Sequence, residues 1–247
     1  MQPTVIVVPC YNEAKRLPGE ALVRALDCHP GLSLVLVDDG STDGTLELLH
    51  ELMGRRSDQI NVLSLPQNVG KGEAVRQGMQ SAFAQNPSFA GYFDADLATP
   101  LAEVVPMAEL LETGGVELVM GARVQLLGRN VRRRALRHYL GRVFASSASL
   151  LLGLGVYDTQ CGAKLFRNTP RIQALFERPF CVDWCFDVEL LLRFDAASRQ
   201  QRLPPIEDAV VEYPLREWSD VQGSKLGPLA IFQASVELTR LWRKYRS

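Results

Sequence analysis

The first half of the chain alternates short apolar runs with segments of helical spacing, and this alternation constrains the fold more than any other feature. The apolar runs are TVIVVP at 4–9, LSLVLV at 32–37, INVLSLP at 60–66, FAGYFDAD at 89–96 and VELVMGAR at 116–123. Strands that are apolar almost throughout are typical of a mostly parallel sheet with helices on both faces. We therefore predict an α/β fold of this kind, with a Rossmann-like first half.

The second half of the chain has a different character. Helical patterns dominate after about residue 124, and short strands are predicted at AKLF (163–166) and EDAVVEYP (207–214). Neither a repeat nor a linker divides the sequence. We predict a single domain over 1–247 with two halves, 1–123 and 124–247. In the first half, Thr42 or Asp43 is expected to cap the helix that starts near residue 45.

The composition is ordinary for a soluble globular protein. The chain has 247 residues, of which 47% are apolar and 22% charged, and its net charge of -1 gives no indication of nucleic-acid binding. Its five cysteines form no CxxC pair, which is typical of reduced thiols and predicts a cytoplasmic location. We expect neither a signal peptide nor a membrane-spanning helix, because the apolar runs are too short.

Acidic residues follow three of the predicted strands. Glu13 comes after the first strand, Asp38 and Asp39 end the second, and Asp94 and Asp96 end the fourth. Ligands of open parallel sheets bind beyond the carboxyl ends of the strands. We therefore expect these acids to converge at one edge of the sheet and to form part of a binding site.

Each acidic motif also has a purely structural interpretation. Asp38 and Asp39 precede Gly40 and Ser41, so the four residues can form a turn, and Asp94 alone can cap a helix. A cap does not require a second acid two residues later. The Asp94–Asp96 pair instead suits a hard divalent cation, Mg²⁺ or Mn²⁺, which keeps waters and binds substrate phosphates.

Other nucleotide-site motifs do not fit. In NVGKGEA (68–74) the lysine lies between the glycines, and a P-loop requires GK followed by Ser or Thr. A GxGxxG motif after the first strand is also missing, which disfavours a dinucleotide-binding fold. A haloacid-dehalogenase type of phosphatase is disfavoured because the aspartate pair follows the fourth strand, with its Thr one residue too late.

A basic stretch begins the second half. Residues 118–157 contain no acid, and 143–156 contain no charge at all. This pattern suits an anionic membrane surface or a lipid phosphate, and equally a buried helix with a solvated basic start. Basic side chains also end the C-terminal amphipathic helix. The basic residues of the two segments are Arg123, Arg129, Arg132, Arg133, Arg134, Arg137 and Arg142, and Arg240, Arg243, Lys244 and Arg246.

Six motifs, in this order and spacing, resemble a known family. They are VVPCYNE, LVDDGSTDGT, NVGKGEAVRQGM, FDADLATP, MGAR and DTQCGAKLF. Together they are similar to the family 2 glycosyltransferases of the GT-A fold, and within them to the enzymes that glycosylate polyprenyl phosphates. FCVDWCFDVELL and VQGSKL are most similar to the dolichyl-phosphate glucosyl branch. The resemblance covers about residues 4–228.

The resemblance implies an inverting, metal-dependent transfer of a hexose from a nucleotide sugar to a polyprenyl or dolichyl phosphate. UDP-glucose is the favoured donor and GDP-mannose the alternative, with Mg²⁺ or Mn²⁺ as cofactor. The first half would bind the nucleotide sugar and the second half the acceptor. The basic stretch, rather than the resemblance, predicts peripheral contact with an anionic membrane at its cytoplasmic face. A soluble or glycan acceptor, and a non-catalytic nucleotide-sugar binding protein, are the competing hypotheses.

The resemblance also implies roles for single residues around the nucleotide. The nucleotide is expected to lie against Pro9, Tyr11, Glu13, Asp38 and Asp39. Of these, Asp39 is expected to accept a hydrogen bond from the base.

Catalysis is expected near the phosphates. Asp94 and Asp96 would hold the metal on the donor diphosphate, and Arg123 and Lys225 would stabilise the charge that grows on the leaving group. Further positions implied to contact the donor or acceptor are Lys71, Ala95, Gln160, Lys164 and Arg216.

Two details bear on the sugar and the acceptor. Ala98 stands where mannosyl relatives often have Gln, which favours the glucosyl branch. An alcohol acceptor would require a general base, for which Asp183 and Asp187 are the candidates, although a structural role is favoured for Asp183.

Overall fold

The structure is a computed structural model that describes residues 1–132, 146–219 and 228–245. Strands and helices alternate along its first half, as the sequence predicts. In chain order they are β1 (Thr4–Cys10), α1 (Gly19–Cys28), β2 (Leu32–Asp38), α2 (Thr45–Arg55), β3 (Ile60–Ser64), α3 (Lys71–Ala84), β4 (Phe89–Phe93), a short 3₁₀ turn (Leu101–Glu103), α4 (Val104–Glu112) and β5 (Leu118–Ala122).

The second half supplies further helices and four short strands to the described part of the chain. These elements are β6 (Asn130–Arg132), α5 (146–152), β7 (Ala163–Arg167), α6 (Pro170–Leu175), α7 (Phe186–Gln201), α8 (Ile206–Ala209), β8 (Val210–Pro214), β9 (Glu217–Ser219) and α9 (Pro228–Tyr245). The strand predicted at 163–166 corresponds to β7, whereas the one predicted at 207–214 begins only at Val210, because Ile206–Ala209 form α8. None of the helices in the described ranges has the length and apolar character that a membrane crossing requires.

The described strands form a seven-stranded sheet in the order β3-β2-β1-β4-β7-β5-β8, with β6 and β9 paired separately. All neighbours in the large sheet run parallel except β7, which is antiparallel to both β4 and β5. The predicted α/β class with a mostly parallel sheet is therefore confirmed. The single-domain organisation stays a prediction, although strands from both halves share this sheet.

The sheet is covered on both faces, because successive side chains of a strand point to opposite sides. Val5 and Val7 of β1 pack in one apolar cluster with α3, α6 and α7, whereas Ile6 and Val8 pack in a second cluster with α1, α2 and α4. Burial on both faces explains why these strands are apolar almost throughout.

The start of α2 differs from the prediction. The N-cap is Gly44, in a left-handed conformation with φ 80, rather than Thr42 or Asp43. The Asp43 carboxylate accepts from the Thr45 backbone N–H at 3.2 Å and from its hydroxyl at 2.5 Å. Asp43 thus binds Thr45, the first residue of α2, although it lies one position before the N-cap.

The close approach of β4 to β7 yields a stability prediction. A Cβ added at Gly91 would lie 2.2 Å from the carbonyl oxygen of Lys164, a backbone atom that cannot move without breaking the strand pairing. Overpacking of this kind costs about 3 kcal/mol, so Gly91→Ala should lower the urea midpoint strongly. The matched control is Gly54→Ala on the exposed side of α2, where nothing lies within 4 Å of the new Cβ. That change should stabilise by up to ~1 kcal/mol, and equal stability of the two variants would contradict the described packing.

Candidate active site

The acidic motifs lie at one edge of the sheet, as expected. β2, β1 and β4 are adjacent and parallel, so the residues that follow their carboxyl ends meet at this edge. Asp38 closes β2, and Asp94 directly follows β4. Because β7 runs antiparallel, its first residue, Ala163, pairs with Phe93 at the end of β4. The DTQCG turn (158–162) before β7 therefore lies at the same edge.

Asp39 connects this edge to the loop before α3. Its Oδ1 accepts from the Val69 N–H at 2.7 Å, and its Oδ2 accepts from the Gly70 N–H at 3.1 Å and from Asn68 Nδ2 at 3.2 Å. Burial raises the pKa of Asp39, and the backbone donors oppose that rise. Asp38 Oδ1 accepts from the Ser41 N–H at 3.3 Å, so the turn interpretation also describes part of this motif. The base contact expected of Asp39 stays a prediction.

Asp94 lies between α3 and the turn before β7. Its backbone N–H donates to the Gly162 carbonyl at 2.9 Å, and its Oδ1 lies 2.6 Å from Nζ of Lys71, the first residue of α3. Asp96 Oδ1 accepts from the Ala98 N–H at 3.0 Å. Burial raises the pKa of Asp96, and the neighbouring charge of Asp94 adds to this rise. Ala95 between them is buried among apolar residues and therefore packs in the core.

The aspartate pair fits a divalent cation that binds together with its substrate. Oδ1 of Asp94 is shielded from solvent and makes no hydrogen bond of good geometry in the described part of the chain, although the ammonium of Lys71 lies beside it. Within the described residues, no third His, Cys, Asp or Glu joins the pair to form a metal cluster. One or two carboxylates completed by waters and substrate phosphates are the usual protein ligands of Mg²⁺.

The position of Lys71 depends on Asp183. Asp183 Oδ1 accepts from the Gly72 N–H at 3.0 Å in the first turn of α3. Gly70, with φ 93, is the N-cap, and a Cβ there would lie 2.5 Å from the same carboxylate oxygen. Asp183 therefore caps α3, which is the structural role favoured from the sequence. The sequence shows the acid in the VDWCFDVE motif but not its partner, Gly72, which is 111 residues away.

Arg123 is oriented by a partner that the sequence did not reveal. Its Nε and Nη2 each donate to Asp158 at 2.7 Å, and its backbone N–H donates to the same carboxylate at 3.1 Å. Its Cζ lies 5.5 Å from the ring centre of Trp218 on β9. The bidentate pair fixes the plane of the guanidinium beside the DTQCG turn.

The DTQCG turn is itself fixed by Glu212 of β8, whose carboxylate accepts from the backbone N–H groups of Tyr157 and Asp158, each at 2.8 Å. Gln160, expected on the acceptor side, has a buried Nε2 without a hydrogen-bond partner among the described residues. A buried amide donor of this kind is costly unless a ligand or water satisfies it. Its geometry is therefore compatible with the expected ligand contact.

Lys164 differs from the expectation of a ligand contact. Its side chain is 0% exposed, and Nζ donates to Asp187 Oδ1 at 2.6 Å and to the carbonyls of Thr159 at 3.0 Å and Cys161 at 2.9 Å. Asp187 also accepts from the Tyr92 hydroxyl. With its three donors used inside the protein, Lys164 lies beneath the site and does not line it. The sequence offers one signal for this burial, which is a lysine within the apolar AKLF segment, because a buried charge requires a partner.

The strand β9 lies beside the aspartate pair. The Ser219 N–H donates to the Ala98 carbonyl at 3.1 Å. Buried Glu103 accepts from the backbone N–H groups of Arg216 and Glu217 at 2.7 and 2.8 Å, which anchors the strand. The Arg216 side chain is exposed. Lys225 lies outside the described residues.

Three residues expected to contact the nucleotide lie near the end of β1: Pro9 is within the strand, and Tyr11 and Glu13 follow it. Pro9 pairs with Val37 across the sheet, and Tyr11 is 36% exposed. The Glu13 backbone N–H donates to Thr45 Oγ1 at 2.8 Å, while its carboxylate pairs with Arg16 at 2.5 Å. These contacts place all three at the carboxyl edge. Their contact with a nucleotide stays a prediction.

Two kinds of comparison identify the relatives of this chain. The family model for glycosyl transferase family 2 matches residues 5–172. A dolichyl-phosphate beta-glucosyltransferase of Dictyostelium discoideum is 31% identical over 95% of this chain and 71% of its own length. The human dolichyl-phosphate beta-glucosyltransferase is 33% identical, covering 90% of this chain and 69% of its own length.

Solved structures share the fold at lower sequence identity. The Mycobacterium tuberculosis glucosyl-3-phosphoglycerate synthase, in complex with Mn²⁺, UDP-glucose and phosphoglyceric acid, is 21% identical with a TM-score of 0.63, over 97% of this chain and 80% of that one. The Pyrobaculum calidifontis mannosyltransferase PcManGT, with GDP-mannose and Mn²⁺, is 17% identical with a TM-score of 0.62, over 97% and 64%. These neighbours confirm the expected GT-A fold. The chain belongs to glycosyl transferase family 2 and is a glycosyltransferase.

Proposed function

We propose that this glycosyltransferase moves glucose from UDP-glucose to a polyprenyl phosphate, with inversion at the sugar carbon. The observation that carries the proposal is the Asp94–Asp96 pair at the carboxyl end of β4, beside the Lys71 ammonium. Relatives about 30% identical over most of the chain are named dolichyl-phosphate beta-glucosyltransferases, which supports the donor sugar and the lipid acceptor. A neighbour solved with Mn²⁺ and UDP-glucose supports the metal and the nucleotide.

Asp94 and Asp96 are the residues that would hold the divalent cation. Such a cation supplies Lewis-acid stabilisation of the charge that grows on the leaving diphosphate. Lys71 adds a positive charge within 2.6 Å of Asp94, and Arg123 is held at the same edge by Asp158. Positive groups that are fixed before the reaction stabilise the transition state without reorganising.

The candidate bases favour a phosphate acceptor over an alcohol acceptor. Asp183 caps α3, and Asp187 is buried and bound by Lys164 and Tyr92. Buried Asp187 is therefore not available to take a proton from an alcohol, whereas Asp183 is exposed but commits its Oδ1 to the first turn of α3. A phosphate monoester requires no such base, because its second pKa of roughly 6 leaves it anionic near neutral pH.

We extend the proposal to contact with an anionic membrane. Leu126 and Leu127 on one side of residues 133–145, and Leu150 on the other, are exposed apolar side chains. Trp242 of α9 is also exposed, next to Arg243. Apolar side chains flanked by arginines suit insertion between anionic headgroups. The arginines from Arg133 to Arg142 and the start of the uncharged run lie outside the described residues.

A donor and acceptor screen tests the proposed reaction. UDP-glucose and GDP-mannose are each incubated with Mn²⁺ and a short polyprenyl phosphate, and the glycolipid and the released nucleotide are measured. We expect glucosyl transfer from UDP-glucose and none to the matching polyprenol, which lacks the phosphate. Transfer from GDP-mannose alone would replace glucose by mannose, and transfer to the polyprenol would contradict the acceptor assignment.

The aspartate pair yields a prediction for turnover. Asp94→Asn and Asp96→Asn should each reduce kcat by at least ~10²-fold, the scale of a lost electrostatic contact in the transition state. Excess EDTA should abolish the activity, and added Mn²⁺ should restore it. Asp58→Asn, in an exposed side chain, is the matched control and should leave kcat unchanged. Full activity in EDTA would show that no metal is needed.

The exposed leucines yield a prediction for lipid binding. The protein should co-sediment with vesicles that contain phosphatidylserine, more at low salt than at high salt, because each basic residue near the surface contributes about 1 kcal/mol. The double variant Leu127→Ser with Leu150→Ser should bind less, whereas Leu203→Ser, which is 36% exposed after α7, should bind like the wild type. Wild-type protein that stays in the supernatant at low salt would contradict the membrane contact.

A further inference from the structure

The ammonium of Lys164 is a buried charge with every donor used. The side chain is 0% exposed, and Nζ contacts the carboxylate of Asp187 and the carbonyls of Thr159 and Cys161. Lys has three donors and no acceptor, so this set is complete. The other buried residues of β7 are apolar, and burying the ammonium among them carries a desolvation cost. Apolar side chains of similar size in place of a buried ion pair are often as stable. Stability alone therefore gives little reason for a lysine here.

The carboxylate partner, Asp187, is also buried and bound within the protein. Asp187 is in the first turn of α7, where the helix dipole favours a negative charge, and it is 3% exposed. It accepts from Lys164 and from the hydroxyl of Tyr92, which belongs to β4 one residue before its end. The pair thus connects α7, β7 and β4 directly beneath the carboxyl edge of the sheet.

The carbonyls bound by Lys164 belong to the turn that supports Asp94. Thr159 and Cys161 are held by Lys164, and the next residue, Gly162, accepts the Asp94 N–H at 2.9 Å. A Cβ at Gly162 would lie 1.9 Å from Asp94 Oδ2, so the carboxylate rests directly on this backbone. A shift of the turn therefore shifts the first aspartate of the pair.

We propose that the buried Lys164–Asp187 pair positions Asp94 for cation binding, through the backbone of residues 159–162. The two residues are positioning residues, since neither contacts the substrate or the cation. This inference rests on the proposed metal role of Asp94 and Asp96. Groups that orient a ligand of a metal typically change metal affinity by 10–100-fold when they are replaced.

The test replaces both charges together, so that neither is left buried and unpaired. The double variant Lys164→Met with Asp187→Leu should still fold, with a melting temperature below that of the wild type because the Thr159 and Cys161 carbonyls and the Tyr92 hydroxyl lose their partners. We expect its Kd for Mn²⁺, measured by the EPR signal of free Mn²⁺ in the presence of UDP, to rise about 10–100-fold. A purely structural pair would not change this affinity in a folded variant.

A second ion pair at the opposite edge of the sheet serves as the matched control. Arg171 and Glu117 are 3.1 Å apart, and Glu117 immediately precedes β5, away from the carboxyl ends. The double variant Arg171→Met with Glu117→Gln should bind Mn²⁺ like the wild type. If the Lys164 and Asp187 double variant does not fold, Lys164→Gln with Asp187→Asn retains a donor and an acceptor with both charges removed, and it should still weaken Mn²⁺ binding.

The outcomes separate this inference from the metal site itself. Wild-type protein that binds no Mn²⁺ with UDP would overturn the metal site, and the positioning role with it. If the wild type binds Mn²⁺, Asp94→Asn does not, and either folded double variant of Lys164 and Asp187 binds as tightly as the wild type, only the positioning role is overturned.

Discussion

The antiparallel placement of β7 between β4 and β5 is the constraint on which the site depends. It brings the DTQCG turn to the end of β4, so that the Asp94 N–H finds the Gly162 carbonyl and the carboxylate rests on a residue without a Cβ. In a wholly parallel sheet the residues preceding β7 would lie at the other edge. The DTQCG turn thus flanks the aspartate pair on one side, and Lys71 of α3 lies on the other side.

Acidic residues that are distant in sequence bind the backbone of the loops around this site. Asp39 binds the loop before α3, Asp183 caps α3 itself, and Glu212 binds the start of the DTQCG turn. Glu103 does the same for β9. Each acid accepts backbone N–H groups that no strand or helix would satisfy, which is the general requirement for buried irregular backbone. The active-site loops are therefore ordered by carboxylates from other parts of the chain.

The fold and the location of the site could be predicted from the sequence, because apolar runs and the acids after them are local patterns. The partners of those acids could not. Asp158 with Arg123 and Asp187 with Lys164 are separated by 35 and 23 residues, and no periodicity relates them. The motif around Lys164 predicts a ligand contact, whereas the burial of this side chain depends on the register of β7. Lys225 and most of the basic segment lie outside the described residues.

The bonds of Asp39 to the loop at 68–70 connect the proposed base contact to the proposed cation site. Asp39 is the residue proposed to contact the base, and its carboxylate oxygens accept from the Val69 and Gly70 N–H groups. Gly70 immediately precedes Lys71, whose ammonium lies 2.6 Å from Asp94. A nucleotide that engages Asp39 therefore acts on the electrostatic environment of the cation. Linkage of this kind is reciprocal, so the cation would change nucleotide affinity by the same factor. The enzyme would then discriminate between whole metal–nucleotide complexes and their separate parts.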